Sequence, residues 1–169
     1  SDGKGKSLWA PREEGQKLAV MRAYGKNVDA ARLQYIEAHA TSTQLGDATE
    51  LRALGAALNE LLPPGHAKIP IGSAKGNVGH TLETAGMAGL VRVVLSMEHA
   101  LIPPGVGGEP LNKEIRWEES PFYVPFQEEP WPAFDDGHPR RAAVNAFGIG
   151  GLNIHVVIDE FVAAPRARA

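Results

Sequence analysis

Apolar residues along the chain fall first at helical and then at strand spacing. Leu18, Met21 and Tyr24 stand three residues apart, which predicts a loosely amphipathic helix over roughly 11–25 with Arg22 on its solvent side. Pro11 suits its first turn and Gly25 its end. Residues 33–38 read as a strand. After the small, polar segment 39–46, Asp47 with Glu50 three residues on has the form of a capping box. It would open a helix over 48–62 that carries Leu51, Leu54, Leu58 and Leu61 on one face, and Pro63-Pro64-Gly65 stops it. Residues 69–73 read as a second strand and 76–79 as a second glycine-bearing loop. The segment 80–100 predicts a helix. Its stretch 85–91 is small and apolar all round, as expected of a helix buried against other backbone. Eight prolines between 103 and 139, with Trp117 and Trp131, predict an extended arm that packs on the core. Residues 141–145 and 152–159 read as strands joined by a tight glycine hairpin at 147–151. Residues 1–10 read as a loop or a cut end, and 162–169 as a frayed tail.

This order predicts an α/β layer structure, a mixed sheet covered by helices, one of them buried. Composition narrows the classes. A length of 169 residues suits one domain or a large piece of one, and 43% apolar residues supply a core. The 17 basic residues are outnumbered by 20 acidic ones, so the chain lacks the basic excess of a duplex-gripping protein. No apolar run reaches membrane-spanning length, and the N-terminus lacks a signal-peptide core, which predicts a cytoplasmic chain with no membrane contact. There is no cysteine, hence no disulfide, no thiolate metal site and no cysteine nucleophile within these residues.

Six histidines are the main candidate chemistry. His66 and His138 lie in polar turns and read as solvated. His99 ends a predicted helix, where a positive charge is favoured. His155 sits among apolar strand residues and reads as a structural, hydrogen-bonded histidine. His39 and His80 each lie in a loop of small residues between a strand and a helix, where α/β sheets bind ligands. No metal-ligand spacing, serine-hydrolase elbow, phosphate loop or dinucleotide fingerprint is present.

Three ordered motifs stand out. They are Glu37-Ala38-His39-Ala40-Thr41-Ser42-Thr43 with Gly46-Asp47, Lys75-Gly76-Asn77-Val78-Gly79-His80, and Asn145-Ala146-Phe147-Gly148-Ile149-Gly150-Gly151-Leu152-Asn153-Ile154-His155. Together they resemble the C-terminal half of a β-ketoacyl synthase, the ketosynthase domain of polyketide and fatty acid synthases. The resemblance runs from Asp2 to about Glu160, so that residues 1–161 would form this half-domain with 103–139 as its arm.

The resemblance implies a thiolase-like fold and decarboxylative Claisen condensation of a malonyl-carrier thioester with an enzyme-bound acyl group. It places His39 and His80 as the two catalytic histidines, and Lys75 as a support for the polar network around the second. Thr41 and Thr43 would contact the phosphopantetheine arm of an acyl carrier protein, and no cofactor would be bound directly. Phe147, Gly148, Ile149 and Gly150 would form the gating loop, with the Ile149 N–H as an oxyanion donor. Neutral imidazoles suit this task, because each can donate a hydrogen bond to a developing oxyanion, and a helix N-terminus at His80 would help keep its ring neutral. The cysteine would come from an N-terminal half upstream, and the complete domain would be a homodimer. The family usually has glycine at positions 40 and 42 and serine at 76. The phrases around His39 and His80 look more like iterative synthases of the enediyne or polyunsaturated-fatty-acid type than modular ones. A catalytically silent ketosynthase-like partner, for scaffolding or chain-length control, is the alternative reading.

Overall fold

A computed structural model of the chain describes residues 10–162. The expectations for 1–9 and 163–169 lie outside the described residues. Helix α1 (Glu13–Tyr24) leads through a 3₁₀ turn to strand β1 (Tyr35–Glu37). Then come α2 (Gln44–Leu61), β2 (Ile69–Gly72), the single-turn α3 (Lys75–Val78) and α4 (Ala85–His99). The short strands β3 (Leu101–Ile102), β4 (Phe122–Tyr123) and β5 (Glu129–Pro130) punctuate the proline-rich stretch. The long hairpin strands β6 (Arg141–Gly148) and β7 (Leu152–Asp159) follow.

The main sheet is mixed and has five strands in the order β4-β2-β1-β6-β7. Only the β6–β7 pair among them is antiparallel. Successive strand residues face opposite sides, and the chain uses this to build two cores. Ile36 and Ala143 join Val20, Tyr24, Leu54 and Leu58 beneath α1 and α2. Tyr35, Ala142 and Val144 face the other way, onto Val93 and Met97 of α4 and onto Trp131. Trp131 and Phe122 are both buried, so the arm packs on the core as its apolar residues predict.

Four local expectations are corrected. In α1 the buried positions are Gly15, Gln16, Val20 and Tyr24, and Leu18 points outward. In α2 the cap is Thr43, whose hydroxyl accepts the Gly46 N–H, so Asp47 and Glu50 lie inside the helix. The helix predicted from residue 80 begins at Ala85, because Gly79 and Leu82 have φ values of 75° and 50°, which no continuous α-helix tolerates. Finally, α4 is not buried all round. Gly89 and Val93 face the sheet, whereas Met87, Val91, Val94 and Leu95 form an exposed apolar stripe at helical spacing. The helix has apolar residues for two partners, and the described residues supply one of them.

Candidate active site

His39 follows β1 and His80 follows the α3 turn after β2, so two neighbouring parallel strands deliver both rings to the same end of the sheet. The rings meet nearly at right angles, 87°, with centroids 5.7 Å apart. Phe147, near the end of β6, packs against His39 at 5.6 Å. The third parallel neighbour, β6, thus brings the glycine hairpin to the histidines. Ile149 lies in its turn and is exposed, and Gly150 and Gly151 both have φ of 79°, which only glycine adopts freely.

The two imidazoles differ. The His39 ring is partly buried and its pKa is lowered to about 4, first by desolvation and then by the charges of Lys75 and His80. It is therefore neutral at pH 7. Its Nδ1 is buried with no hydrogen-bond partner among the described residues. His80 is exposed, and its Nδ1 accepts the Leu82 N–H at 3.1 Å. That bond leaves the ring proton on Nε2. The backbone amide of Leu82, and not a helix N-terminus, therefore fixes this ring, since α4 begins five residues later.

Lys75 opens α3 and is half-buried. Burial lowers its pKa, against the opposing pull of Glu37, Glu50 and Asp47. Glu37 fixes the turn that carries it. Its Oε1 accepts the Ala74 N–H at 2.5 Å, while its Oε2 accepts from the Tyr35 hydroxyl at 3.0 Å and from Arg92 at 3.1 Å. Gly89 lets α4 come this close, for a Cβ there would lie 2.9 Å from Glu37 Cγ.

Thr41 and Thr43 have divided roles. Their hydroxyls are 3.2 Å apart, and that of Thr43 is engaged at the α2 cap. Thr41 instead lines a cavity of about 820 Å³, together with Asp47, Lys75, His80 and Val106 of the arm. Burial raises the Asp47 carboxyl, opposed by the backbone amides of Ser42, Thr41 and Thr43 and by the Lys75 charge.

Glu50 and Asn145 belong to the site's framework without a role that the sequence alone predicts. Glu50 is fully enclosed and accepts the His39 and Ala40 N–H groups, both at 2.8 Å, and the Asn145 amide at 2.8 Å. The available signal was its place on the apolar face of α2, one turn before Leu54. His155 is a hydrogen-bonded buried histidine, as expected, with Nδ1 2.6 Å from Asn145 Oδ1. His66 departs from the expectation of a solvated ring, since its two nitrogens lie 2.7 and 3.0 Å from the carbonyl oxygens of Ala67 and Ala31.

Residues 1–109 match the family profile described as "Beta-ketoacyl synthase, C-terminal domain". The chain belongs to that family. This ketosynthase half is 43% identical over 158 residues to the highly reducing polyketide synthase cm3B of Cordyceps militaris, an alignment covering 94% of the chain and 6% of that protein. It is 40% identical over 171 residues to the polyketide synthase PksN of Bacillus subtilis, covering 95% of the chain and 3% of the relative. Its fold matches the ketosynthase from module 6 of the bacillaene synthase of Bacillus subtilis with a TM-score of 0.89 at 36% identity, over 96% of the chain and 29% of that structure. The oxazolomycin ketosynthase domain of Streptomyces albus gives 0.89 at 35% identity, over 99% and 30%. The chain is thus the C-terminal half of a ketosynthase domain with a thiolase-like fold, and it spans under a tenth of the curated relatives it matches. Among the described residues, no helix is long and apolar enough to cross a membrane.

Proposed function

We propose that residues 1–161 supply the two histidines of a polyketide-type condensing enzyme, and that the cysteine comes from the N-terminal half of the same domain. The acyl group moves from an acyl carrier protein to that cysteine. A malonyl-carrier thioester then loses carbon dioxide, and the resulting enolate carbon attacks the acyl thioester, expelling the cysteine thiolate. His39 and His80 donate hydrogen bonds to the thioester oxygen as it becomes an enolate oxygen.

The perpendicular approach of the two rings at 5.7 Å is the observation that carries this reading. Their convergence at one open corner suits two donors that share a target. The neutral state of His39 supports a hydrogen-bond donor and argues against a cationic role. The Nε2 proton of His80 supports the same use. Lys75 contributes its charge beside His39 and Asp47, as those groups' shifts register. Thr41 is the better placed of the two threonines for a phosphopantetheine arm, because it opens on the cavity. The exposed apolar stripe of α4 suits the N-terminal half as its covering partner. A homodimer of the complete domain and an assignment to the enediyne or polyunsaturated-fatty-acid type belong to the same reading as further expectations.

His39→Ala in the complete domain tests it. Loss of malonyl-carrier decarboxylation is expected. Release of carbon dioxide at the parent rate would sink the reading and favour the silent-partner alternative.

A further inference from the structure

His155 is a buried titratable group for which the condensation mechanism has no use. Only 8% of it is exposed, and its Nε2 has no partner among the described residues. It stands directly opposite Asn145 in the β6–β7 register, so the two side chains share a sheet face. Both Glu50 oxygens accept backbone N–H groups, and the Asn145 amide nitrogen faces Oε1 at 2.8 Å. The Asn145 oxygen therefore faces His155, and His155 Nδ1 must be the donor. A single polar chain runs from β7 through Asn145 to Glu50, and Glu50 holds the backbone N–H groups of His39 and Ala40.

That backbone needs holding. Ala40 has φ of 33° and Ser42 of 63°, both in a region that residues with a side chain avoid. Such turns persist only where their surroundings over-determine them. Without the His155 donor, the Asn145 amide could rotate and turn its oxygen toward the Glu50 carboxylate. The carboxylate would then shift, and with it the peptide that aims His39.

We propose that His155 is a positioning residue for the condensation, acting through Asn145 and Glu50 on the main chain at His39. This rests on the reading that His39 serves malonyl decarboxylation. The test uses the complete ketosynthase domain that carries this chain, with malonyl-carrier protein as substrate. His155→Leu should lower kcat for decarboxylation by about tenfold to a hundredfold, the scale of a misplaced catalytic group, with KM within about twofold. His155→Asn, whose amide nitrogen can stand where Nδ1 stands, should recover most of that loss. Long-range ¹H–¹⁵N spectra of the parent should show the His155 proton on Nδ1 and a bare Nε2, a result that needs no variant to fold. A proton on Nε2, an unchanged kcat in His155→Leu, or a His155→Asn as impaired as His155→Leu would each overturn the proposal. His39→Ala run alongside separates the two claims. If it decarboxylates like the parent, the functional reading fails. If it is inactive while His155→Leu is not, only the positioning role fails.

Discussion

Gly76 lies so close beneath the main chain of Val106 that a Cβ at position 76 would come within 2.3 Å of the Val106 carbonyl oxygen. The contact joins the turn carrying Lys75 to the glycine-rich start of the arm, and both line the same cavity. The resemblance to ketosynthases leads one to expect serine at this position. In this chain the glycine and the approach of the arm go together.

Gly76→Ser is therefore expected to destabilise the protein, although the resemblance leads one to expect serine there. Backbone must move to make room, which costs about 1–3 kcal/mol by the usual scale of overpacking. A lowered denaturation midpoint, with faster proteolysis at 105–108, checks it. An unchanged midpoint would show that the arm yields freely.

Ala40 and Ser42 give the opposite expectation. At φ of 33° the Ala40 side chain is strained, and glycine removes that strain at the cost of greater freedom in the unfolded chain. The first effect is the larger, so Ala40→Gly should raise stability by about 0.5–1 kcal/mol. Chemical denaturation of parent and variant measures it, and a fall in stability would contradict the strain.

His155 also makes stability depend on pH. Burial lowers its pKa from the ordinary 6.5 to about 4. Between these values the unfolded chain takes up a proton that the folded chain refuses, so acid favours unfolding. The contribution is complete above pH 6.5 and is lost as pH falls toward 4, by up to about 3 kcal/mol. Melting curves of the parent and His155→Leu across this range should converge as the pH falls. Parallel curves would mean that His155 is not buried in its neutral form.

Much of this was legible in the sequence because periodicity carries it. The order of helix and strand patterns correctly foretold a mixed sheet, and the aromatic and aliphatic residues among the prolines a packed excursion. Asp47 and Glu50 were misread because a carboxylate three residues after a capping residue has two physical meanings. It can reach back to its own helix start, or it can be buried to hold a different loop. The choice depends on Ala40 turning its N–H toward Glu50, which no local pattern reveals. The exposure of α4 was hidden for a related reason. Its composition demands apolar partners on two sides but does not say whether they lie in this chain. The Asn145–His155 pairing became visible only with the hairpin register, which sets the two residues opposite each other.

The proposed chemistry has His39 and His80 acting together on one thioester oxygen. It is tested most directly by carbon dioxide release from malonyl-carrier protein by the complete domain, measured for His39→Ala and His80→Ala beside acyl loading of the cysteine. Each substitution should cut carbon dioxide release by about 10²–10³-fold, the scale of removing one oxyanion donor, while the cysteine still takes up its acyl group. Carbon dioxide release near the parent rate in either variant would contradict the account.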